Sequence, residues 1–277
     1  MFILQLKQDH PDLAEAEALA LIPGKNIVRA GELILIDGKA PDWNRLALTR
    51  KADELLFSCK TTELEKQIEL FDWNATISGS YRVDLHHTDA LPKTIANLVW
   101  KNLKEPHVDL THPTTTLGFF FADKTVFVGK RRWTNTERFE ERLSGKLPAK
   151  HPSGMHPKLA RAIVNLTGVP GTGKLVDPFC GAGGFLIEAM RMGLRVDGSD
   201  LDEGQVERAN INLKPYGITV VQRDALTLRD PIDYLASDLP YGRNTKAKDT
   251  DALYRAFLVL LGKLLRKRAV LVFPDFA

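Results

Sequence analysis

The sequence predicts an α/β chain in two parts: an α+β first half, and a second half built on a parallel sheet. Three observations predict this. From about residue 159 onward, short apolar strands alternate with helices, the rhythm of a parallel sheet covered on both faces. Four of those strands run into an acidic residue: Asp177, Asp200, Asp224 and Asp238. Between the halves, residues 146–157 are rich in Pro, Gly, His and Lys, which places a boundary at about 140–150. The length of 277 residues also suits two domains.

The first half reads as follows. Phe2–Lys7 alternates as a strand, and Asp12 caps a helix whose Leu13, Ala16 and Ala20 fall at helical spacing. Leu33–Ile36 is a strand closed by the Asp37-Gly38 turn, and Leu46–Thr49 and Leu55–Ser58 are two further short strands. Glu63–Phe71 is a helix, Tyr81–Leu85 a strand of period two, and Thr94–Leu103 a helix. Thr116–Ala122 and Thr125–Gly129 form a hairpin around Asp123-Lys124. In the second half, helices are expected at Leu159–Leu166, Gly183–Met192, Glu203–Leu213 and Asp251–Leu265. Strands are expected at Leu175–Asp177, Leu194–Ser199, Thr219–Gln222, Tyr234–Ser237 and Ala269–Phe273.

Composition excludes several classes. Hydrophobic residues are 44% and charged residues 26%, the balance of a globular protein rather than a disordered or low-complexity one. The longest apolar runs, Leu258–Leu261 and Ala269–Phe273, are too short to cross a bilayer, and the N-terminus lacks the pattern of a signal peptide. No membrane association is expected. Two cysteines, Cys59 and Cys180, make neither a disulfide framework nor a four-sulfur site. A cytoplasmic setting is therefore expected. The seven histidines show no ligand spacing, so no metal is expected. A net charge of +3 permits a nucleic-acid partner without requiring one.

Asp177-Pro178-Phe179-Cys180-Gly181-Ala182-Gly183-Gly184 links a strand to a helix, and its glycines let a ligand approach the backbone. Asp200, at the end of the next strand, suits the two hydroxyls of a ribose. Leu186 stands where a dinucleotide-binding loop needs its third glycine. Asp177 is a poor neighbour for a pyrophosphate but a good one for an amine. S-adenosylmethionine, with an ammonium and a sulfonium, fits this set. Gly168–Lys174 mimics a phosphate-binding loop, but a helix precedes it, a strand follows it, and Leu175 replaces the required Ser or Thr. It reads as a connector.

The fourth strand ends in Asp238-Leu239-Pro240-Tyr241-Gly242-Arg243. One reading is a plain turn; the other is an amine-methylation site. An exocyclic amine on a base is a weak nucleophile because its lone pair is delocalised into the ring. A carboxylate and backbone carbonyls that accept its N–H groups direct that lone pair toward a methyl donor. Pro240 stiffens the backbone, and Tyr241 offers a stacking face.

Together these motifs resemble the Rossmann-like S-adenosylmethionine methyltransferases that modify exocyclic amines. Their usual Asp/Asn-Pro-Pro-Tyr appears here with Leu239 in place of the first Pro. Asp177–Ala189, Asp238–Arg243 and His151–Arg161 are similar to the THUMP-domain tRNA guanine-N2 methyltransferases acting at position 10, particularly archaeal ones. Val108–Thr116 and the following hairpin resemble the THUMP signature. The resemblance implies a ferredoxin-like segment over 1–57, a THUMP RNA-binding domain over 58–140, and a Rossmann-like methyltransferase domain over 150–277. It also implies S-adenosylmethionine as cofactor and tRNA as partner. Asp177, Phe179, Cys180, Gly181 and Gly183 would shape the methionine pocket, Asp200 and Leu201 would hold the ribose, and Asp224 with Ala225 the adenine edge. Asp238, Pro240 and Tyr241 would carry the reaction. Lys130, Arg131 and Arg132 read either as a phosphate contact or as a solvated loop. Relatives continue past the fifth strand into another helix and a closing hairpin, so Ala269–Phe273 is expected at a sheet edge. A monomer is expected; eukaryotic relatives use a small activator subunit, to which no residue of this sequence points. Adenine-N6 or glutamine-N5 methylation, and a non-catalytic tRNA-binding subunit, are the alternatives.

Overall fold

The computed structural model describes residues 1–88, 92–150, 154–241 and 250–274. His151–Ser153 and Gly242-Arg243 of the motifs above lie outside them. The chain divides into two compact units, one of residues 1–15, 22–41 and 49–135, the other of 16–21, 42–48 and 136–277.

The first unit is built on one sheet. Its elements are β1 (Phe2–Leu6), the start of α1 (Pro11–Leu21), β2 (Lys25–Ala30), β3 (Leu33–Asp37), β4 (Thr49–Lys60), α2 (Leu64–Leu70), α3 (Trp73–Thr76), β5 (Tyr81–His86), α4 (Pro92–Lys101), β6 (Thr115–Ala122) and β7 (Thr125–Thr134). The strand order is β2-β3-β1-β4-β7-β6-β5. β5 and β6 pair in parallel, and the other neighbours are antiparallel. Alternate residues of β5 to β7 (Tyr81, Val83, Leu117, Phe119, Val126 and Val128) face Leu64 and Ile68 of α2 and Ile95 and Val99 of α4. Trp73 closes that core, its Nε1 donating to the Ile68 carbonyl at 2.7 Å.

Two expectations change here. Of the strands expected at Leu46–Thr49 and Leu55–Ser58, the first is strand only at Thr49, where the twelve-residue β4 begins, and the second lies inside β4. The strand runs through charged Asp53 and Glu54, and Asp53 is fully buried against the Arg131 guanidinium, Nε to Oδ2 at 2.9 Å. Residue 57, which the resemblance gives as the end of the ferredoxin-like segment, lies within β4. β2 has no apolar alternation to announce it and was not expected.

The second unit holds α5 (Pro157–Leu166), β8 (Lys174–Asp177), α6 (Gly184–Arg191), β9 (Arg195–Asp200), α7 (Glu203–Leu213), β10 (Val221–Gln222), β11 (Ile232–Asp238), α8 (Thr250–Leu264) and β12 (Leu265–Val272). Its sheet is all parallel, in the order β10-β9-β8-β11-β12. Neighbouring residues on one strand serve opposite faces. Leu175 and Ala236 meet α5 and α6. Val176 and Leu235 meet Tyr254, Phe257 and Leu261 of α8. Gly168–Lys174 is the α5–β8 connector, turned by the Gly173 N–H donating to the Pro170 carbonyl at 2.8 Å. Among the described residues β12 is an edge strand, and no helix is long and apolar enough to cross a membrane.

The order locates the site. From central β8 the chain winds outward through β9 and β10, then returns to the other side of β8 for β11. Loops leaving β8 and β11 therefore part in opposite directions, and a crevice opens beyond their carboxyl ends.

Candidate active site

A cavity of about 400 Å³ lies at that crevice, within the second unit, a volume suited to a small-molecule ligand. Asp177, Asp200, Asp224 and Asp238 all line it. The four strand-end carboxylates thus share one cavity, and Glu188 and Asp202 join them, against Arg142 as the one lysine or arginine among its described lining residues. Such a donor set suits a ligand carrying positive charge.

Asp177 ends β8 and is 2% exposed. Its Oδ1 accepts from Ser237 Oγ at 2.5 Å and from the Phe179 N–H at 3.2 Å. Burial pushes its carboxyl up to about 7; these two hydrogen bonds work against the rise, and the charges of Asp200 and Asp238 add to it. The turn that follows needs left-handed backbone at Gly181 (φ 51°) and Gly183 (φ 91°). Among the described residues other than its two chain neighbours, no heavy atom lies within 4 Å of where a Cβ on Gly181 would stand, so the loop leaves room there. Phe179 packs edge-on against Phe257, centroids 5.0 Å apart. Cys180 is 5% exposed, and burial pushes its thiol up, so it is not a thiolate.

Asp200 ends β9 and reaches back to the same turn. Its Oδ2 accepts from the Gly181 N–H and its Oδ1 from the Asp202 N–H, both at 2.9 Å. Burial raises its pKa, with these backbone donors opposing. Leu201 beside it is half exposed. Asp224 follows β10 and caps a short turn, Oδ1 accepting from the Leu226 N–H at 2.9 Å, with Ala225 buried next to it.

Asp238 ends β11, and Tyr241 Oη donates to its Oδ1. Burial raises the Asp238 pKa and the Tyr241 hydrogen bond lowers it. The Tyr241 side chain is 42% exposed, so its ring is open to a ligand rather than sealed in the core. Leu239 is buried, and its N–H donates to the Val272 carbonyl at 3.0 Å. A proline here could not make that bond. The departure from the usual tetrapeptide thus extends the β11–β12 ladder by one residue. Pro240 also lines the cavity.

Sequence reasoning missed Ser237 and Tyr254. Ser237 was read only as a strand residue, although its place beside the Asp238 motif was a usable signal. Tyr254 lies in α8, and its Oη donates to the Pro240 carbonyl at 2.6 Å; nothing in its spacing announces this. Among the described residues no group of three or more His, Cys, Asp or Glu is placed to hold a metal ion.

Lys130, Arg131 and Arg132 lie in the first unit, within β7 rather than in a loop after it. Lys130 Nζ donates to the Thr76 carbonyl at 2.6 Å, and Arg132 pairs with Glu54. Arg131 is the inner half of the ion pair with buried Asp53, its side chain 11% exposed. Strand alternation turns it inward, so it is not a solvated loop cation.

The chain is similar to several known proteins. Residues 145–276 match the family described as RMKL-like, methyltransferase domain. The chain is 33% identical over 275 residues to the tRNA (guanine(10)-N2)-dimethyltransferase of Methanothermobacter thermautotrophicus, covering 91% of this chain and 82% of that protein. It is 31% identical over 297 residues to the protein of that name from Pyrococcus abyssi, covering 99% and 89%. Among solved structures, TrmN from Thermus thermophilus is similar over 98% of this chain and 88% of that one, at 21% identity and a TM-score of 0.48.

Proposed function

This chain belongs to the family of the tRNA (guanine(10)-N2)-dimethyltransferases, and we infer from that membership that it methylates the exocyclic N2 amine of guanine in tRNA with S-adenosylmethionine as donor. The target in this reading is guanosine 10, and the enzyme works in the cytoplasm, where that substrate is found. One observation carries the residue assignments: Asp200 and Asp238, from strands on either side of β8, line the same cavity as the glycine turn and Tyr241.

The residues present fit the cofactor. A buried carboxylate beside a glycine turn suits an ammonium, and a second at the end of the next strand suits ribose hydroxyls. Asp177 with Gly181 and Gly183 would take the methionine end, Phe179 and Cys180 its wall, Asp200 and Leu201 the ribose, and Asp224 with Ala225 the adenine edge. When bound, the cofactor supplies an electrophilic methyl group on a sulfonium.

The chain's own residues do the rest. Tyr241 Oη occupies Oδ1 of Asp238, leaving Oδ2 for an N–H of the guanine amine. Tyr241 presents its exposed ring for the base, which must leave its stack to reach the cavity. Bound S-adenosylmethionine would supply the methyl group, and the amine that accepts it would give up a proton. The amine proton passes to Asp238, whose burial makes it a better base than a solvated aspartate. Of the three β7 cations, Arg132, its side chain 45% exposed and paired with Glu54, would be the one to meet a tRNA phosphate.

Asp238→Ala tests the reading. Methyl transfer to tRNA should fall by about 100-fold or more, while S-adenosylmethionine affinity measured by calorimetry stays within a few-fold. Unchanged turnover would remove Asp238 from the reaction. Nucleoside mass spectrometry of the product separates N2-methylguanosine from N6-methyladenosine.

A further inference from the structure

Three anchors hold the peptide that follows β11. At its start, Ser237 Oγ donates to Asp177 and fixes the strand end. Next, the Leu239 N–H donates to the Val272 carbonyl of β12. Last, the Pro240 carbonyl accepts from Tyr254 Oη at 2.6 Å. The Leu239 carbonyl lies between the second and third anchors. Its direction is set by the orientation of the 239–240 peptide plane, and Pro240 restricts the rotation that could change it.

Tyr254 is well placed to be a pin. It is 7% exposed, seated in the α8 face of the core and packed edge-on against Phe273, centroids 5.5 Å apart at 89°. Its hydroxyl is therefore delivered by a ring that cannot wander. The other polar tip beside the motif, Tyr241, stands on an exposed ring and serves Asp238 instead. The two tyrosine hydroxyls divide the motif between them, one on the carboxylate and one on the carbonyl two residues later.

We propose that Tyr254 is a positioning residue for methyl transfer: by holding the Pro240 carbonyl, its hydroxyl fixes the 240–241 peptide and, through the locked φ of the Pro240 ring, steadies the segment that aims the motif's acceptors, Asp238 and the Leu239 carbonyl, at the incoming amine. The proposal rests on the methyltransferase reading above. Without the pin, the Pro240 carbonyl becomes a competing acceptor for the same N–H groups, and the peptide gains a rotational freedom that the reacting geometry cannot tolerate.

Tyr254→Phe deletes one oxygen and keeps the ring packed against Phe273. With the full chain and tRNA, kcat should fall about 10- to 100-fold. The KM and calorimetric Kd for S-adenosylmethionine should stay within about two-fold, because the residues assigned to the cofactor lie at the ends of β8 and β9 and in the loop after β10. Hydrogen exchange read without turnover should rise at the peptide spanning 236–241 and stay unchanged over β8 and β9. A kcat within two-fold of the wild type, or unchanged exchange at 236–241, overturns the proposal. So does a loss of cofactor affinity equal to the loss of rate, which marks a general loosening of the fold. The rate of the unsubstituted chain on tRNA reports separately on the methyltransferase reading, since the exchange experiment needs no reaction.

Discussion

At the scale of single residues, the site is governed by burial of carboxylates. Asp177 is the extreme case, pushed up to about 7 by desolvation. An ammonium ligand binds its ionised form, so affinity for S-adenosylmethionine should weaken about tenfold per pH unit below 7. Calorimetry between pH 5.5 and 7 checks this, and Asp177→Asn should bind weakly with little slope. The same shift acts on stability in the opposite sense. A carboxyl whose folded pKa is raised stabilises the fold most below its unfolded value of 3.8, and that contribution is lost as pH climbs to about 7. The unliganded protein should therefore lose stability across that window, and urea unfolding of Asp177→Asn should not show the decline. The role assigned to Asp177 was legible in the sequence because its place at a strand end before a glycine turn is a local fact. Its hydroxyl partner Ser237 sits sixty positions away and only the sheet brings the two together.

At the scale of elements, the second half could be read closely because helices and strands there obey simple periodicities. Glu203–Leu213 falls where expected, capped by Asp202 accepting from the Gln205 N–H at 3.2 Å. β4 was harder: charged residues at 53 and 54 hide a continuous strand, because the partner that neutralises Asp53 lies 78 residues on. Leu239 shows what an element end can add. Leu239→Pro restores the usual tetrapeptide but removes the hydrogen bond to Val272 and a buried apolar side chain. We expect it to destabilise the protein by about 2 kcal/mol in urea unfolding. Equal or greater stability would mean that the extra ladder bond contributes nothing.

At the scale of the molecule, the order of residues is not the order of units. Residues 16–21 and 42–48 belong to the second unit although they precede most of the first. Glu17 makes that arrangement specific. Its fully buried carboxylate accepts from the N–H groups of Ala47 and Leu48 at 2.9 and 2.8 Å and from Asn165 Nδ2 at 2.7 Å. Asn165 also donates to the Arg45 carbonyl, and Arg45 Nη1 donates to the Val169 carbonyl, each at 2.8 Å. Glu17→Ala removes the acceptor shared by three buried N–H groups and should cost about 3 kcal/mol in chemical denaturation. A loss under about 0.5 kcal/mol would show that these groups find other partners.

The sequence by itself determined the alternation of strands and helices, the glycine turn, the acidic strand ends and the residues of the Asp238 motif, because each depends on neighbours a few positions away. Only the tertiary structure decided that the four carboxylates line one cavity, that Arg131 turns inward to Asp53, and that Tyr254 reaches Pro240. Strand order, register and helix docking set those contacts, and they follow from packing a whole chain at once, which no local window of sequence contains.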